Sequence, residues 1–363
     1  MNFNAFFLKS FRILLLPFAL IYGMVIIIRN WLYNKQYLKS ATFNLPLICV
    51  GNLSVGGTGK SPMVEYLVAL LHKQFNTATL SRGYKRKTKG YALANEQTTA
   101  LEIGDEPMQF HLKFPQLPVA VGEERIEAIP QLLHDRPDTE VIILDDAFQH
   151  RAITAGLNII LTDYNNLYTR DFFLPTGDLR DQRSASARAE IIVVTKCPVD
   201  LSVDEKKRLI KEINPQPQQQ LFFSAIAYDT PYHILDHTTR AITEQDEVYL
   251  VCGIANPRPL KNYLHEKAAT YYQQTYSDHH IFTIDDLREI TEKFREIPAA
   301  SKCILTTEKD AVRLMKFSEQ LAGIPLYVIP IQPVFLFNEG EAFNKAVIGF
   351  IQNFSLTSAA AAV

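Results

Sequence analysis

The sequence predicts an α/β fold: a parallel-sheet domain with helices on both faces, a smaller second α/β domain, and an N-terminal membrane-associated helix. Short continuous apolar runs recur between segments of helical periodicity, the pattern of strands covered on both faces. At 363 residues the chain exceeds the size at which one hydrophobic core stops growing, which favours two domains. Sixteen uncharged residues, 13–28 (ILLLPFALIYGMVIII), separate Arg12 from Arg29.

With 47% of its residues hydrophobic and 21% charged, the chain belongs with folded proteins. A net charge of -2 argues against nucleic acid as the partner. The charge is unevenly spread, however. The first forty residues hold Lys9, Arg12, Arg29, Lys35 and Lys39 and no acid, so this end is drawn to an anionic surface. Phe3, Phe6 and Phe7 precede the apolar run and Trp31, Tyr33 and Tyr37 follow it, as suits the headgroup region. The run is slightly short for a span, and Pro17 and Gly23 are expected to bend or loosen it. A monotopic or re-entrant anchor is therefore favoured, with a single span or a buried first helix as alternatives. No small-x-small site follows, which disfavours a cleaved signal peptide. Cys49, Cys197, Cys252 and Cys303 stand alone in apolar surroundings, reading as reduced core thiols and neither as a disulfide framework nor as a zinc site.

Residues 45–50 read as a first strand and 63–72 as a helix; between them lies GNLSVGGTGKSP. In the turn Ser54, Val55, Gly56, Gly57, Thr58 and Gly59, the glycines let backbone amides curl round phosphate oxygens, and the helix start adds unpaired N–H groups. Lys60 can reach the outer phosphates of a nucleotide, and the Ser61 hydroxyl can face magnesium. Ser54 stands where a GxxxxGKS phosphate loop has its first glycine. The strand at 141–144 ends in Asp145-Asp146, at the crevice where open α/β sheets bind ligands; these carboxylates are candidates for Mg2+. Further strands are expected at 77–81, 159–163 and 191–195. The first sheet thus has the plan of a P-loop NTPase-like domain that binds a nucleotide as its Mg2+ complex.

The loop SRGYKRKTKG carries Arg82 and Tyr84 among four more basic residues, a set suited to a phosphate-bearing substrate or the membrane face, or simply to solvent. Arg180, Arg183 and Arg188 in LPTGDLRDQRSASAR also suit phosphate contact. Asp105 in GDEP is a possible base for a hydroxyl proton, but the same segment reads equally as a turn.

Together these segments resemble the tetraacyldisaccharide 4'-kinase family, the lipid A 4'-kinases of Gram-negative bacteria. The resemblance runs through nearly the whole chain: GNLSVGGTGKSP, SRGY, GDE, LDDAFQH, LPTGDLR, VVTK, GIANP, SDHH and TTEKDAVRL occur in the family's order. It implies transfer of the ATP γ-phosphoryl group to the 4'-hydroxyl of a membrane-embedded tetraacyldisaccharide 1-phosphate, at the cytoplasmic face of the bacterial inner membrane. It also implies two α/β domains joined by a narrow linker and needs no obligate protein partner. Carried onto this chain, Asp105 would take the hydroxyl proton, His279 would tune it and Glu106 would shape its surroundings. Lys60 would stabilise β/γ-phosphate charge, Ser61 with Asp145 or Asp146 would organise Mg2+, and Arg125 would meet phosphate oxygens. Ala147, where the family usually has Gly, and Ala155-Gly156, where it has an Arg-Asp pair, depart from the pattern.

The expected organisation is a membrane helix over 1–40, a P-loop kinase domain over 41–228, a smaller domain over 229–350 and a flexible tail over 351–363. In the smaller domain, strands are expected at 248–253 and 302–306. A membrane-associated P-loop NTPase acting on a protein partner is the alternative function, distinguished by hydrolysis without a phosphorylated lipid; a non-catalytic nucleotide sensor would tolerate loss of Asp105.

Overall fold

The structure, a computed structural model, describes residues 12–361. Phe3, Phe6, Phe7 and Lys9 lie outside the described residues. The strands of the first domain are β1 (Leu47–Asn52), β2 (Thr77–Ser81), β3 (Ala92–Leu93), β4 (Val119–Val121), β5 (Val141–Asp145), β6 (Leu157–Asp163), β7 (Ile191–Thr195) and β8 (Gln220–Tyr228). The second domain holds β9 (Tyr232–His233), β10 (Glu247–Cys252), β11 (Thr270–Thr275), β12 (Lys302–Thr307) and β13 (Leu326–Ile329), after which β14 (Ile331–Phe335) returns to the first. The large sheet runs β14-β8-β7-β6-β1-β5-β2-β4-β3, parallel except at its two edge pairs. Its central strands β1, β2, β5 and β7 are buried at every position, because helices cover both faces. The small sheet runs β11-β10-β12-β13-β9, with only β9 antiparallel.

The main helices are α1 (Leu16–Asn34), α2 (Lys60–Leu71), α3 (Asp105–Lys113), α4 (Arg125–Asp135), α5 (Val203–Ile213), α6 (Arg258–Lys267), α7 (Ile284–Glu296), α8 (Glu308–Leu314) and α9 (Gly340–Ala361). The second domain differs from the expected 229–350 at its end. The chain crosses back at β14, which pairs with β8, and α9 buries Phe343, Val347 and Ile351 against the first core. The expected tail from 351 begins inside this helix. Spacing explains the difference: Phe343, Val347 and Ile351 lie four apart on one helical face, and that stripe continues through residue 351.

α1 buries only Ala19, Gly23 and Asn30, while Phe18, Leu20, Ile21, Met24, Val25 and Ile28 face outward. It is not the buried core helix that was one alternative. With its preceding turn it spans 22 residues, long and apolar enough to cross a membrane by length and composition. Pro17 sits in the first turn, where its missing N–H costs nothing, so it starts the helix and does not bend it. Gly23 does not break it either, but allows close approach: a Cβ there would lie 2.7 Å from the ring of Phe173. All four cysteines are buried and free, and burial pushes the Cys49 thiol up to about 12.

Candidate active site

β1 and β5 are parallel neighbours, with Val50 opposite Asp145, so the end of β5 meets the loop leaving β1. That loop enters α2 through Gly59, whose φ of 88° belongs to the left-handed region that glycine adopts without strain. The turn is fixed by buried polar groups that the sequence reading did not single out. Asn52 donates through Nδ2 to the Thr58 hydroxyl (2.8 Å), and Thr195 donates to the Thr58 carbonyl (2.8 Å). Lys196 donates to the Gly57 carbonyl and pairs with Asp163 at 2.8 Å. Lys60 Nζ lies 3.8 Å from Asp146.

The two carboxylates after β5 have different surroundings. Asp145 is buried; burial, then Glu106 and Asp146, push its pKa up to about 7, and its Oδ1 has no partner among the described residues. Asp146 sits lower than usual: burial opposes ionisation, but the Arg180 guanidinium and Lys60 outweigh it. Arg180 grips both oxygens of Asp146 and also Asn52 Oδ1, so in this structure it is tied to the protein. An orphaned buried carboxylate oxygen on Asp145 next to the carboxylate of Asp146, with the Ser61 hydroxyl held on neighbouring Glu106, makes a hard-oxygen donor set. It suits Mg2+, which uses one or two carboxylates and takes other ligands from water and phosphate.

Across the crevice, α3 meets α8 of the second domain through a ladder of charged pairs. Ser61 donates to Glu106 Oε1 (3.0 Å), and Lys309 Nζ meets the same oxygen at 2.8 Å. Burial raises the Glu106 pKa, but Lys309 and Lys60 overcome this and hold it below the usual range. Asp105 Oδ2 lies 3.2 Å from His279 Nδ1 and receives Arg313 Nε at 2.9 Å. His279 and Asp105, 174 positions apart in sequence, are thus brought together. Arg313 Nη2 sits 2.8 Å from the same Asp105 oxygen and 3.1 Å from His279 Nδ1, so the three groups close a triangle in which Nδ1 either accepts from Arg313 or, when protonated, donates to Asp105. All three contacts fall on Oδ2. Tyr84 leans edge-on toward His279 at 6.3 Å, while Arg82 is exposed.

Arg125 departs from the expectation. It is only 2% exposed and donates to the carbonyls of Gly122, Glu123 and Asp145, so it buttresses the end of β5 and does not present itself to the cleft. Burial lowers its pKa. Arg188 is likewise committed, to Asp181 and the face of Phe148, and Arg183 to the Asp171 carbonyl. Conversely, Arg313 was missed as a site residue, whereas Lys309, expected either at the helix start or facing the cleft, does meet Glu106 there. The signal for Arg313 was TTEKDAVRL, a segment far in sequence from the rest.

At the far end of α3, Lys113 lies 2.6 Å from both Glu65 and Glu308, whose side chains are each 5% exposed, and so bridges the domains. Burial, then Glu308, push Glu65 from 4.5 up to about 7 despite Lys113. A carboxylate raised in the folded state ionises first in the unfolded chain, so its stabilising contribution is complete below 4.5 and is lost as pH rises through about 7. Glu65→Gln is therefore expected to flatten the fall in Tm between pH 5 and 8. Lys113→Met leaves two buried carboxylates uncompensated, costs about 3 kcal/mol, and should cost more at pH 8 than at pH 5. Thermal melts across that range check both, and a pH-independent loss in Lys113→Met would contradict the account.

A glycine turn at a helix start, flanked by the carboxyl end of the neighbouring strand, defines a nucleotide-binding protein of the P-loop type. A model of the tetraacyldisaccharide-1-P 4'-kinase family (LpxK) matches residues 11–352. The chain belongs to this family and is an enzyme, an ATP-dependent lipid kinase transferring phosphate to tetraacyldisaccharide 1-phosphate. The tetraacyldisaccharide 4'-kinase of Flavobacterium johnsoniae is 45% identical over 342 residues, covering 94% of this chain and 97% of the relative. That of Bacteroides thetaiotaomicron is 42% identical over 354 residues, covering 93% of each. The crystal structure of LpxK from Aquifex aeolicus in complex with ATP superposes with a TM-score of 0.73 at 28% identity, covering 94% of this chain and 99% of that one.

Proposed function

We propose that Asp105 is the base that removes the proton from the 4'-hydroxyl as its oxygen attacks the γ-phosphorus of ATP and the β–γ bridging oxygen leaves with ADP. The observation that carries this reading is Asp105 held through Oδ2 by His279 and Arg313, one residue from Glu106, which bonds Ser61 at the start of α2. Nearby, Lys60 balances charge on the β- and γ-phosphates, and backbone amides from Ser54 to Ser61 cradle the phosphate chain. His279 keeps the carboxylate oriented. Ser61, Asp145 and Asp146 would hold Mg2+, which when bound neutralises phosphate charge. Glu106 and Lys309 couple the second domain to α2, so closure of the domains and assembly of the site are one event. Arg82 and Tyr84 are suited to the anionic sugar headgroup.

The test is transfer of label from γ-labelled ATP to tetraacyldisaccharide 1-phosphate in mixed micelles. ATP hydrolysis without labelled lipid would refute this assignment.

The outward face of α1 supports binding at the cytoplasmic face of the inner membrane. Leu20, Met24 and Ile28, four residues apart and exposed, are expected to enter lipid. Replacing all three by Ser should weaken partitioning by about a thousandfold or more, since each buried apolar side chain contributes about 1.5–3 kcal/mol. Flotation on vesicles containing phosphatidylglycerol checks this; unchanged flotation would exclude α1 as the anchor.

A further inference from the structure

A helix that serves only as a membrane anchor has no use for a buried polar side chain, yet Asn30 on the inner face of α1 is 2% exposed. Unpaired, such an amide costs free energy; here Nδ2 donates to Asp181 Oδ1 at 2.7 Å, and Asp181 is equally buried. Two more polar contacts join the helix end of the chain to the same segment. The Tyr22 hydroxyl donates to the Arg180 carbonyl (3.1 Å), and Arg12 meets the carboxylate of Asp178 at 2.8 Å. Phe173, packed under Gly23, adds an apolar contact.

This segment, residues 171–183, is bonded on its other side to the phosphate loop. Val55 N donates to the Asp178 carbonyl (2.7 Å), Arg180 N donates to the Leu53 carbonyl (2.9 Å), and Ser54 forms an antiparallel bridge with Leu179. The Arg180 side chain grips Asp146 and Asn52, and Asn52 holds Thr58. A second route meets the first at Asn52: Arg29 donates to the Gln149 carbonyl (3.0 Å), and Gln149 Nε2 donates to the Asn52 carbonyl (2.7 Å). Phe172, 59% exposed in the same segment, gives it a direct apolar contact for lipid.

We propose that residues 171–183 form a strap through which α1 positions the phosphate loop, with Asn30 and Tyr22 as positioning residues, so that seating α1 in a bilayer raises affinity for ATP. The inference rests on the assignment of residues 54–61 to the nucleotide. Linkage requires the converse, that ATP strengthens membrane partitioning by the same factor.

The experiment uses the full chain on vesicles of phosphatidylethanolamine and phosphatidylglycerol, without lipid substrate, comparing the parent with Asn30→Leu and Tyr22→Phe. Equilibrium binding of a fluorescent ATP analogue is read alongside vesicle flotation and circular dichroism. Asn30→Leu should weaken nucleotide binding about three- to tenfold with flotation unchanged, the order for one hydrogen bond to a charged group partly transmitted through a network. Tyr22→Phe loses only a hydroxyl and keeps its ring on Phe173, so it carries the test if Asn30→Leu does not fold; a smaller shift of the same sign is expected. Unchanged nucleotide affinity in Tyr22→Phe, with flotation intact, overturns the proposal and leaves α1 as an anchor. Failure of the parent itself to bind nucleotide would instead refute the underlying site assignment, and this inference with it.

Discussion

Asp105→Asn is expected to lower kcat for lipid phosphorylation by about 10²–10⁴-fold, the range for loss of a general base, while KM for ATP stays within about twofold. Asparagine keeps the shape of the side chain and can still accept from Arg313, so the α3–α8 contact should persist. What it cannot do is take a proton. The split between kcat and KM, measured in micelles with saturating lipid, separates lost chemistry from lost binding. Equal loss in ATP binding would show Asp105 to be structural, a strut between domains paired with Arg313. His279→Ala should cost less, because Arg313 still fixes the same carboxylate oxygen.

Lys60→Ala is expected to reduce kcat/KM for ATP by about 10²–10³-fold, as for removal of one preorganised charge from a phosphoryl transition state. Stability should scarcely change. The Lys60–Asp146 pair spans 3.8 Å with Asp146 a third exposed, and Arg180 continues to hold Asp146. A partly exposed pair at that distance contributes less than about 1 kcal/mol. A melt within about 2 °C of the parent, alongside the kinetic loss, is the expected outcome. A variant with near-parental turnover would remove Lys60 from the catalytic account, and the phosphate reading of the loop would then rest on its amides alone.

The elements carrying these predictions were legible to different degrees in the amino-acid order. The strands at 77–81 and 191–195 match β2 and β7, and 141–144 matches β5 without its last residue, since central parallel strands read as unbroken apolar runs. α2 begins at Lys60, three residues before its expected start, because Gly59 supplies the turn and the first helical residues still bear the motif's polar groups. Other features were not legible. Arg125 looks in sequence like any cationic ligand for phosphate; two of the carbonyls it meets, Gly122 and Glu123, are local, but the third, Asp145 at the end of β5, is brought to it only by the fold. Asn30 looks like a helix-terminal polar residue of an apolar segment, and its partner Asp181 lies 151 positions away.

Local order alone thus determined the pieces whose physics is local. The apolar runs, the glycine turn before Lys60 and the outward stripe of α1 depend on neighbours within one or two turns of chain. Tertiary structure decided everything requiring distant chain segments to share one dielectric environment: which aspartate after β5 is driven toward neutrality, which arginines are spent on carbonyls, and that Arg313 joins Asp105 and His279. It also decided that the chain returns to the first sheet after β13, because an edge strand finds its partner by the face it can cover, and that face is set by β8 more than a hundred positions upstream.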